Sequence, residues 1–299
     1  MYFKWTYTGN PLKLQNFLRQ QGFSQSQLIK LKFHGGAVYV NHRQRNTDYL
    51  LHAKDRILLQ LAPEIPVDTV KPFAAPIDII YEDAHYLVVN KPAGVASIPD
   101  AAKGDDSMAN RVKAYLISSH AESTAIHVVT RLDRDTSGLM LFAKHGFAHS
   151  LVDRQLHSSR FIKNYQALIP LHQPLPSHGW LILRIGRSQE FYMKRAVVPT
   201  GKQSTTEYRL LQQNSAYALA EVTLHTGRTH QIRVHFSAIG HPLIGDDLYG
   251  GEMLMARQAL HCAHLNFYHP YLNRTIDLTA PLPADMQAGL TRVGLVESH

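Results

Sequence analysis

The sequence predicts an α+β protein: a mixed, largely antiparallel sheet with flanking helices over residues 77–299, preceded by a small α/β unit over residues 1–62. Three observations predict it. Beyond Ile77 short apolar, β-rich runs recur with few helical stretches between them, which suits α+β packing better than alternating βαβ units. Before Ala62 two short helical patterns are followed by strands. Between the two units, residues 63–76 hold Pro63, Pro66, Pro72 and Pro76, a stiff connector unsuited to a helix interior or a central strand.

In the first unit Leu14, Phe17 and Leu18 fall at helical spacing, and Gly22 ends the run. Ser24 with Gln27 three residues later forms a capping box that starts a second helix carrying Leu28 and Leu31. Gly35-Gly36 breaks that helix, Val38 and Val40 alternate as a strand, Asn41-His42 turns, and Ile57 to Leu61 closes the unit as another strand. In the second unit strands are expected at residues 77–81, 86–89, 127–129, 139–143, 165–169, 181–185, 205–211 and 217–224, with helices over 107–117 and 147–156. After Gly227, the spacing of Ile232, Phe236 and Ile239 predicts a helix capped by Thr229 and ended by Gly240 ahead of Pro242.

Composition narrows the function classes. The chain has 299 residues, 44% hydrophobic and 18% charged, and no apolar run approaching the ~18 residues needed to cross a bilayer. With no secretory pattern at Met1 to Tyr7, a soluble, cytoplasmic protein is expected, without membrane partners. The single cysteine, Cys262, excludes an internal disulfide; His261 and His264 beside it lack a second ligand pair at metal-site spacing, so no metal or other cofactor is expected. No long heptad pattern suggests an obligate dimer, and a monomer is favoured.

Charge locates a partner. Residues 1–62 hold nine cations (Lys4, Lys13, Arg19, Lys30, Lys32, Arg43, Arg45, Lys54, Arg56) against Asp48 and Asp55, nearly the whole +8 excess of the chain. Such a concentration attracts a polyanion and releases its counterions, the footprint of nucleic-acid binding.

Two short runs carry chemistry. Thr130-Arg131-Leu132-Asp133-Arg134-Asp135-Thr136-Ser137-Gly138 sets a carboxylate between two arginines where a strand meets a turn. A carboxylate near guanidinium groups stays ionised and is able to act as nucleophile or base. The same run resembles a D-x-D-x-T phosphotransferase motif, but Thr136 falls three residues after Asp133 instead of four, and the Rossmann-like alternation such an enzyme needs is missing. In Thr226-Gly227-Arg228-Thr229-His230-Gln231-Ile232-Arg233-Val234-His235 the helix holds Arg233 rigidly, and a fixed guanidinium seeks a carboxylate or phosphate, with Asp133 the natural candidate.

Together these blocks resemble a family. Tyr81-Glu82-Asp83 through Asn90-Lys91-Pro92-Ala93-Gly94, Arg131 to Gly138, Lys163 to Leu168, Thr226 to His235, and Gly240-His241-Pro242 through Gly245-Asp246 to Tyr249-Gly250 are similar to the RluA/RluD-type pseudouridine synthases, in the family's order. The first unit resembles the small RNA-binding domain first described in a ribosomal small-subunit protein. One departure stands out: Thr130 occupies the place where the family usually has histidine. The resemblance implies isomerisation of uridine in RNA to pseudouridine, with ribosomal RNA the expected partner and transfer RNA the alternative. It implies Asp133 as the catalytic aspartate, Tyr165 as the ring that stacks on a flipped uracil and assists proton removal, and Arg233 as the partner of Asp133. Arg131, Arg228, Thr229, His230 and Gln231 would contact the RNA beside the site; Lys30, Lys32, Arg43 and Arg45 would contact phosphates from the first unit. The rival reading is a non-catalytic RNA-binding or ribosome-assembly factor on the same fold.

Overall fold

The computed structural model describes residues 1–64, 70–99, 106–156, 158–188 and 194–295. One eleven-stranded sheet dominates. Its path runs Arg195–Val197, His178–Arg187, Lys202–Gln213, Tyr217–Leu224, Phe161–Pro170, Leu260–His269, Ser137–Ala143, Tyr86–Lys91, Asp78–Glu82. Arg274–Thr279 pairs with Leu260–His269, and His127–Val128 with Ser137–Ala143. Every pairing is antiparallel except that of Ser137–Ala143 with Leu260–His269, where Ser137 lies opposite His261 and Gly138 opposite Cys262. That parallel seam needs a glycine: Gly138 has φ +113°, and a Cβ there would lie 2.3 Å from the Cys262 carbonyl oxygen. The fold is therefore α+β and largely antiparallel, as the short apolar runs indicate.

Most expected strands lie inside observed ones, and Tyr217–Leu224 matches end to end. Leu260–His269, Arg274–Thr279, Tyr2–Thr6 and the helix Ala284–Arg292 are additions. Leu260–His269 escapes a period-two reading because its register with Phe161–Pro170 shifts between Asn164 and Tyr165. Buried Cys262 is followed by buried Leu265 and Phe267, so the alternation changes phase at the irregularity. The helix expected over 107–117 runs Met108–Ser118, with the Ser107 hydroxyl accepting the Asn110 N–H. The helix expected over 147–156 runs Gly146–Asp153, capped by His145.

The first unit is a four-stranded sheet, in order Tyr2–Thr6, Arg56–Gln60, Ala37–Val40, Arg43–Gln44, with the helices Leu14–Gln20 and Gln25–Phe33. The Ser24/Gln27 capping box is formed on both sides, and Asn41 and His42 turn with positive φ. Leu14, Leu18, Leu51 and Leu59 are fully buried in its core. Phe147 of the Gly146–Asp153 helix completes that core, its ring stacked on Phe23 at 3.8 Å. Gln27 adds hydrogen bonds from its amide to the Gly146 carbonyl and the Ser150 hydroxyl. The proline-rich connector has no regular structure in its described part, and residues 65–69, Pro66 included, lie outside the described residues. Glu64 accepts from the Gly146 N–H at 2.7 Å and contacts His127 at 2.6 Å, while the Phe73 N–H donates to the Asn110 carbonyl. No helix among the described residues is long and apolar enough to cross a membrane.

Candidate active site

The Asp133 run forms a loop between the strands His127–Val128 and Ser137–Ala143, and its backbone is pinned from several sides. The Ser97 hydroxyl donates to the Leu132 carbonyl at 2.6 Å and accepts the Leu132 N–H at 2.9 Å. The fully buried Lys91 ammonium donates to the carbonyls of Pro92, Val95 and Arg134 at 2.7–2.8 Å, and burial pushes it down to about 7. Thr130 is buried, and its hydroxyl accepts the Leu141 N–H at 2.9 Å. Arg257 donates to the Asp135 carbonyl at 3.0 Å. A loop pinned in this way presents its side chains in one geometry.

Asp133 is paired across the cleft, not within its own loop. Arg233 Nη1 donates to Asp133 Oδ2 at 3.2 Å, and Arg233 Nε and Nη2 donate to the two oxygens of the buried Asp246 at 2.7 and 2.8 Å. Burial opposes the Arg233 cation, but the hydrogen bonds and charge of Asp246, joined by Asp133, hold its pKa above the usual value. Among the described residues neither Arg131 nor Arg134 pairs with Asp133: Arg134 Nε donates to the Gly94 carbonyl at 2.8 Å, and Arg131 is exposed. The expectation that the flanking arginines are the partners of this carboxylate is therefore corrected: its guanidinium partner comes from Arg233, while Arg134 is engaged by the Gly94 carbonyl.

Arg233 sits on the helix Gln231–Ala238. Thr229 does not cap that helix: the N-cap is His230, in the left-handed conformation (φ 57°, ψ 20°), with no side-chain cap. Tyr165 reaches the same cleft from the strand Phe161–Pro170, beside the shift in register. It is 4% exposed. Burial, then the neighbouring Cys262 and Asp133, hold its hydroxyl protonated far above the usual phenol range. Such surroundings disfavour the phenolate, leaving a neutral ring with a hydroxyl that is able to donate a hydrogen bond.

Asp133, Tyr165, Arg233, Arg131, Arg228, Thr229, His230 and Gln231 all line one cleft of about 840 Å³, within the range of small-ligand sites. Arg131, Arg228 and Thr229 are exposed. Gln231 is not free to contact RNA: it is 2% exposed, its amide nitrogen donates to the Thr205 carbonyl and Thr206 hydroxyl, and its oxygen accepts from Thr226 and Arg228. Its polar capacity is spent on holding the Thr226–His230 turn. Lys30, Lys32 and Arg43 are exposed on the first unit and do not line the cleft. Arg45 is half-buried, its guanidinium 4.7 Å over the Tyr49 ring.

Sequence reasoning left Asp246, Tyr249, Lys91 and Ser97 without roles. The first three lie inside the blocks that carry the resemblance, so a signal existed, but nothing local says what each touches. Tyr249 lies against the site, with the Arg233 guanidinium 5.0 Å over its ring and its hydroxyl 2.9 Å from His230 Nδ1. Cys262, His261 and His264, for which no metal is expected, have separate surroundings: His261 Nδ1 meets the Ser137 hydroxyl at 2.9 Å, His264 Nε2 meets Asp277 at 2.5 Å, and Cys262 is fully buried opposite Tyr165.

Comparison with known proteins identifies the family. Residues 85–238 match the family model for RNA pseudouridylate synthase. A Bacillus subtilis protein named as an uncharacterized RNA pseudouridine synthase, YjbO, is 37% identical over 277 residues, spanning 92% of this chain and 97% of the relative. Ribosomal large subunit pseudouridine synthase D of Zymomonas mobilis is 37% identical over 232 residues, 73% of each chain. Among solved structures, human RNA pseudouridylate synthase domain containing 4 shares the fold with a TM-score of 0.61 at 24% identity, over 74% of this chain and 95% of that one. A pinned aspartate facing a buried arginine and a tyrosine, in a chain so matched, leads to one conclusion: the chain belongs to the RNA pseudouridylate synthase family and is an isomerase that converts uridine in RNA to pseudouridine.

Proposed function

We propose that the cleft receives a uridine extruded from structured ribosomal RNA, and that Asp133 is the group that acts on it. The observation that carries this reading is the Asp133 carboxylate held 3.2 Å from Arg233 in the cleft that Tyr165 also lines. A base inside a stem reaches such a site only by flipping, at a cost of a few kcal/mol that contacts to the rest of the RNA must offset. Tyr165 stacks on the uracil. Asp133 attacks or deprotonates the nucleoside; the N1–C1′ bond breaks, the ring turns, the C5–C1′ bond forms, C5 loses its proton and N1 gains one. Composition and oxidation state are conserved, so the reaction itself requires no redox partner. Because the Tyr165 hydroxyl starts protonated, its first service is stacking and hydrogen-bond donation.

Arg131, Arg228 and Thr229 contact the RNA at the mouth of the cleft, with Arg131 occupying the gap left by the base or meeting a phosphate. Residues 1–62 act as a second RNA-contacting unit through Lys30, Lys32 and Arg43, joined by residues 63–76 to the catalytic unit of residues 77–299, in a monomeric enzyme. The similarity to a protein named as a large-subunit synthase supports ribosomal RNA as the substrate. The test is release of tritium from 5-tritiated uridine in RNA by Asp133→Asn. Abolished release with retained RNA binding is expected. Release at the wild-type rate would remove Asp133 from the chemistry and leave the site without its central residue.

A further inference from the structure

His230 stands between the aspartate and a tyrosine. Its Nε2 lies 3.8 Å from Asp133 Oδ2, and its Nδ1 lies 2.9 Å from the Tyr249 hydroxyl. That hydroxyl already accepts the Arg195 backbone N–H at 3.0 Å. Its own proton therefore has one acceptor among the described residues, His230 Nδ1, and an imidazole that accepts at Nδ1 carries its proton on Nε2. The two rings meet edge to face at 5.7 Å, which fixes the imidazole plane. The residue's left-handed backbone is uncommon outside glycine and is here retained at the head of the helix that carries Arg233.

We propose that His230 is a positioning residue for the isomerisation: held by Tyr249 as the neutral Nε2–H tautomer, it is the second donor aimed at Asp133 Oδ2, so that Oδ1 is the oxygen that meets the nucleotide. This rests on the reading of Asp133 as the acting group. Arg233 already donates to Oδ2, and both donors converge on that one oxygen. The 3.8 Å separation closes when the substrate fills the cleft, as catalytic hydrogen bonds commonly do. The charged groups facing the ring are Asp133, Arg233, Asp246 and Arg195, with the Lys194 ammonium 5.4 Å from the centre of the Tyr249 ring. Burial, against the pull of Asp133, lowers the His230 pKa from its ordinary value, so the donor is neutral at neutral pH. A neutral donor aims the aspartate without cancelling its charge, a task the cation Arg233 alone does not perform.

The experiment compares His230→Leu, His230→Gln and Tyr249→Phe in the full chain, with turnover of 5-tritiated uridine RNA resolved into kcat and KM. Losing one preorganised donor costs ~100- to ~1000-fold in rate where that donor is fully engaged. His230→Leu is expected to lower kcat at least ~10-fold with KM nearly unchanged, His230→Gln to restore most of the loss by supplying an amide N–H, and Tyr249→Phe to fall between them by releasing the tautomer. A raised KM at unchanged kcat in His230→Leu would make the residue an RNA contact and overturn the proposal; so would glutamine performing no better than leucine. Should the leucine variant fail to fold, Tyr249→Phe at wild-type kcat overturns it equally. Asp133→Asn run alongside separates the two readings: turnover retained there defeats the role of Asp133 itself, whereas an inactive Asp133→Asn beside His230 variants of normal kcat defeats only the role of His230.

Discussion

Asp246 grips Arg233 with both carboxylate oxygens, at 2.7 and 2.8 Å, and so leaves a single guanidinium nitrogen for Asp133. The guanidinium is anchored before the substrate arrives, and its direction is set by a residue that is 1% exposed. One cation thus holds two carboxylates, one buried and one in the cleft.

Asp246→Asn is expected to lower turnover ~100-fold or more and to destabilise the fold by about 3–5 kcal/mol, the usual result of breaking a buried pair from one side. Arg233→Lys should not rescue activity, because an ammonium lacks the planar fork that holds two carboxylates at once. Tritium release together with urea unfolding checks both statements. Wild-type turnover in Asp246→Asn would show that Asp133 alone orients the arginine.

Thr130 stands where the family usually has histidine, and its hydroxyl accepts the Leu141 N–H at 2.9 Å in a buried setting. Thr130→Val keeps the shape and removes the acceptor, leaving a buried N–H unpaired, so it should cost about 1–3 kcal/mol. Thr130→Ser should stay near wild type. Equal urea midpoints for the valine and wild-type proteins would mean that this hydrogen bond contributes nothing to holding the loop.

The exposed cations of the first unit are tested by combining Lys30→Ala, Lys32→Ala and Arg43→Ala. For every phosphate that is no longer neutralised, the slope of log affinity against log salt should flatten by about 0.7–0.9, and binding at low salt should weaken. Arg45→Ala should instead act on stability, because that guanidinium packs over Tyr49. Filter binding across a salt series is sufficient, and an unchanged slope in the triple variant would remove the first unit from the RNA interface.

Acid should unfold the protein through its buried histidines. Burial pushes His145 down to about 3 and His235 and His261 down to about 4. Because these folded values lie below the ordinary value of about 6.5, the unfolded chain binds more protons between pH ~6.5 and ~4, and stability falls as pH falls through that window. Each histidine contributes up to about 1.4 kcal/mol per pH unit. His235→Leu should flatten the dependence and raise stability near pH 5, since neither ring nitrogen of His235 has a partner among the described residues. Urea midpoints measured from pH 7 to 4 decide it; a flat profile would contradict the assignment.

Much of the fold was legible because its signals are local. The Ser24/Gln27 capping box, the Asn41-His42 turn and the Tyr217–Leu224 strand depend on neighbours within a few residues, and each occurs where the sequence places it. Leu260–His269 was hidden for an equally definite reason, an irregular register that disrupts the two-residue period on which strand recognition depends.

By itself the sequence determined which side chains are able to do chemistry and that a strand-bounded loop and a helix carry them: residue type, spacing and turn chemistry need no distant partner. Only the tertiary structure decided what each of them faces. It set Asp133 against an arginine 100 residues away and not the arginines beside it, turned Gln231 inward to hold a turn, and brought Asp246 and Tyr249 in behind Arg233 and His230. The physical reason is that charge and hydrogen bonding act over a few ångströms of space, and distances in space are fixed by sheet register and packing, which no stretch of chain specifies alone.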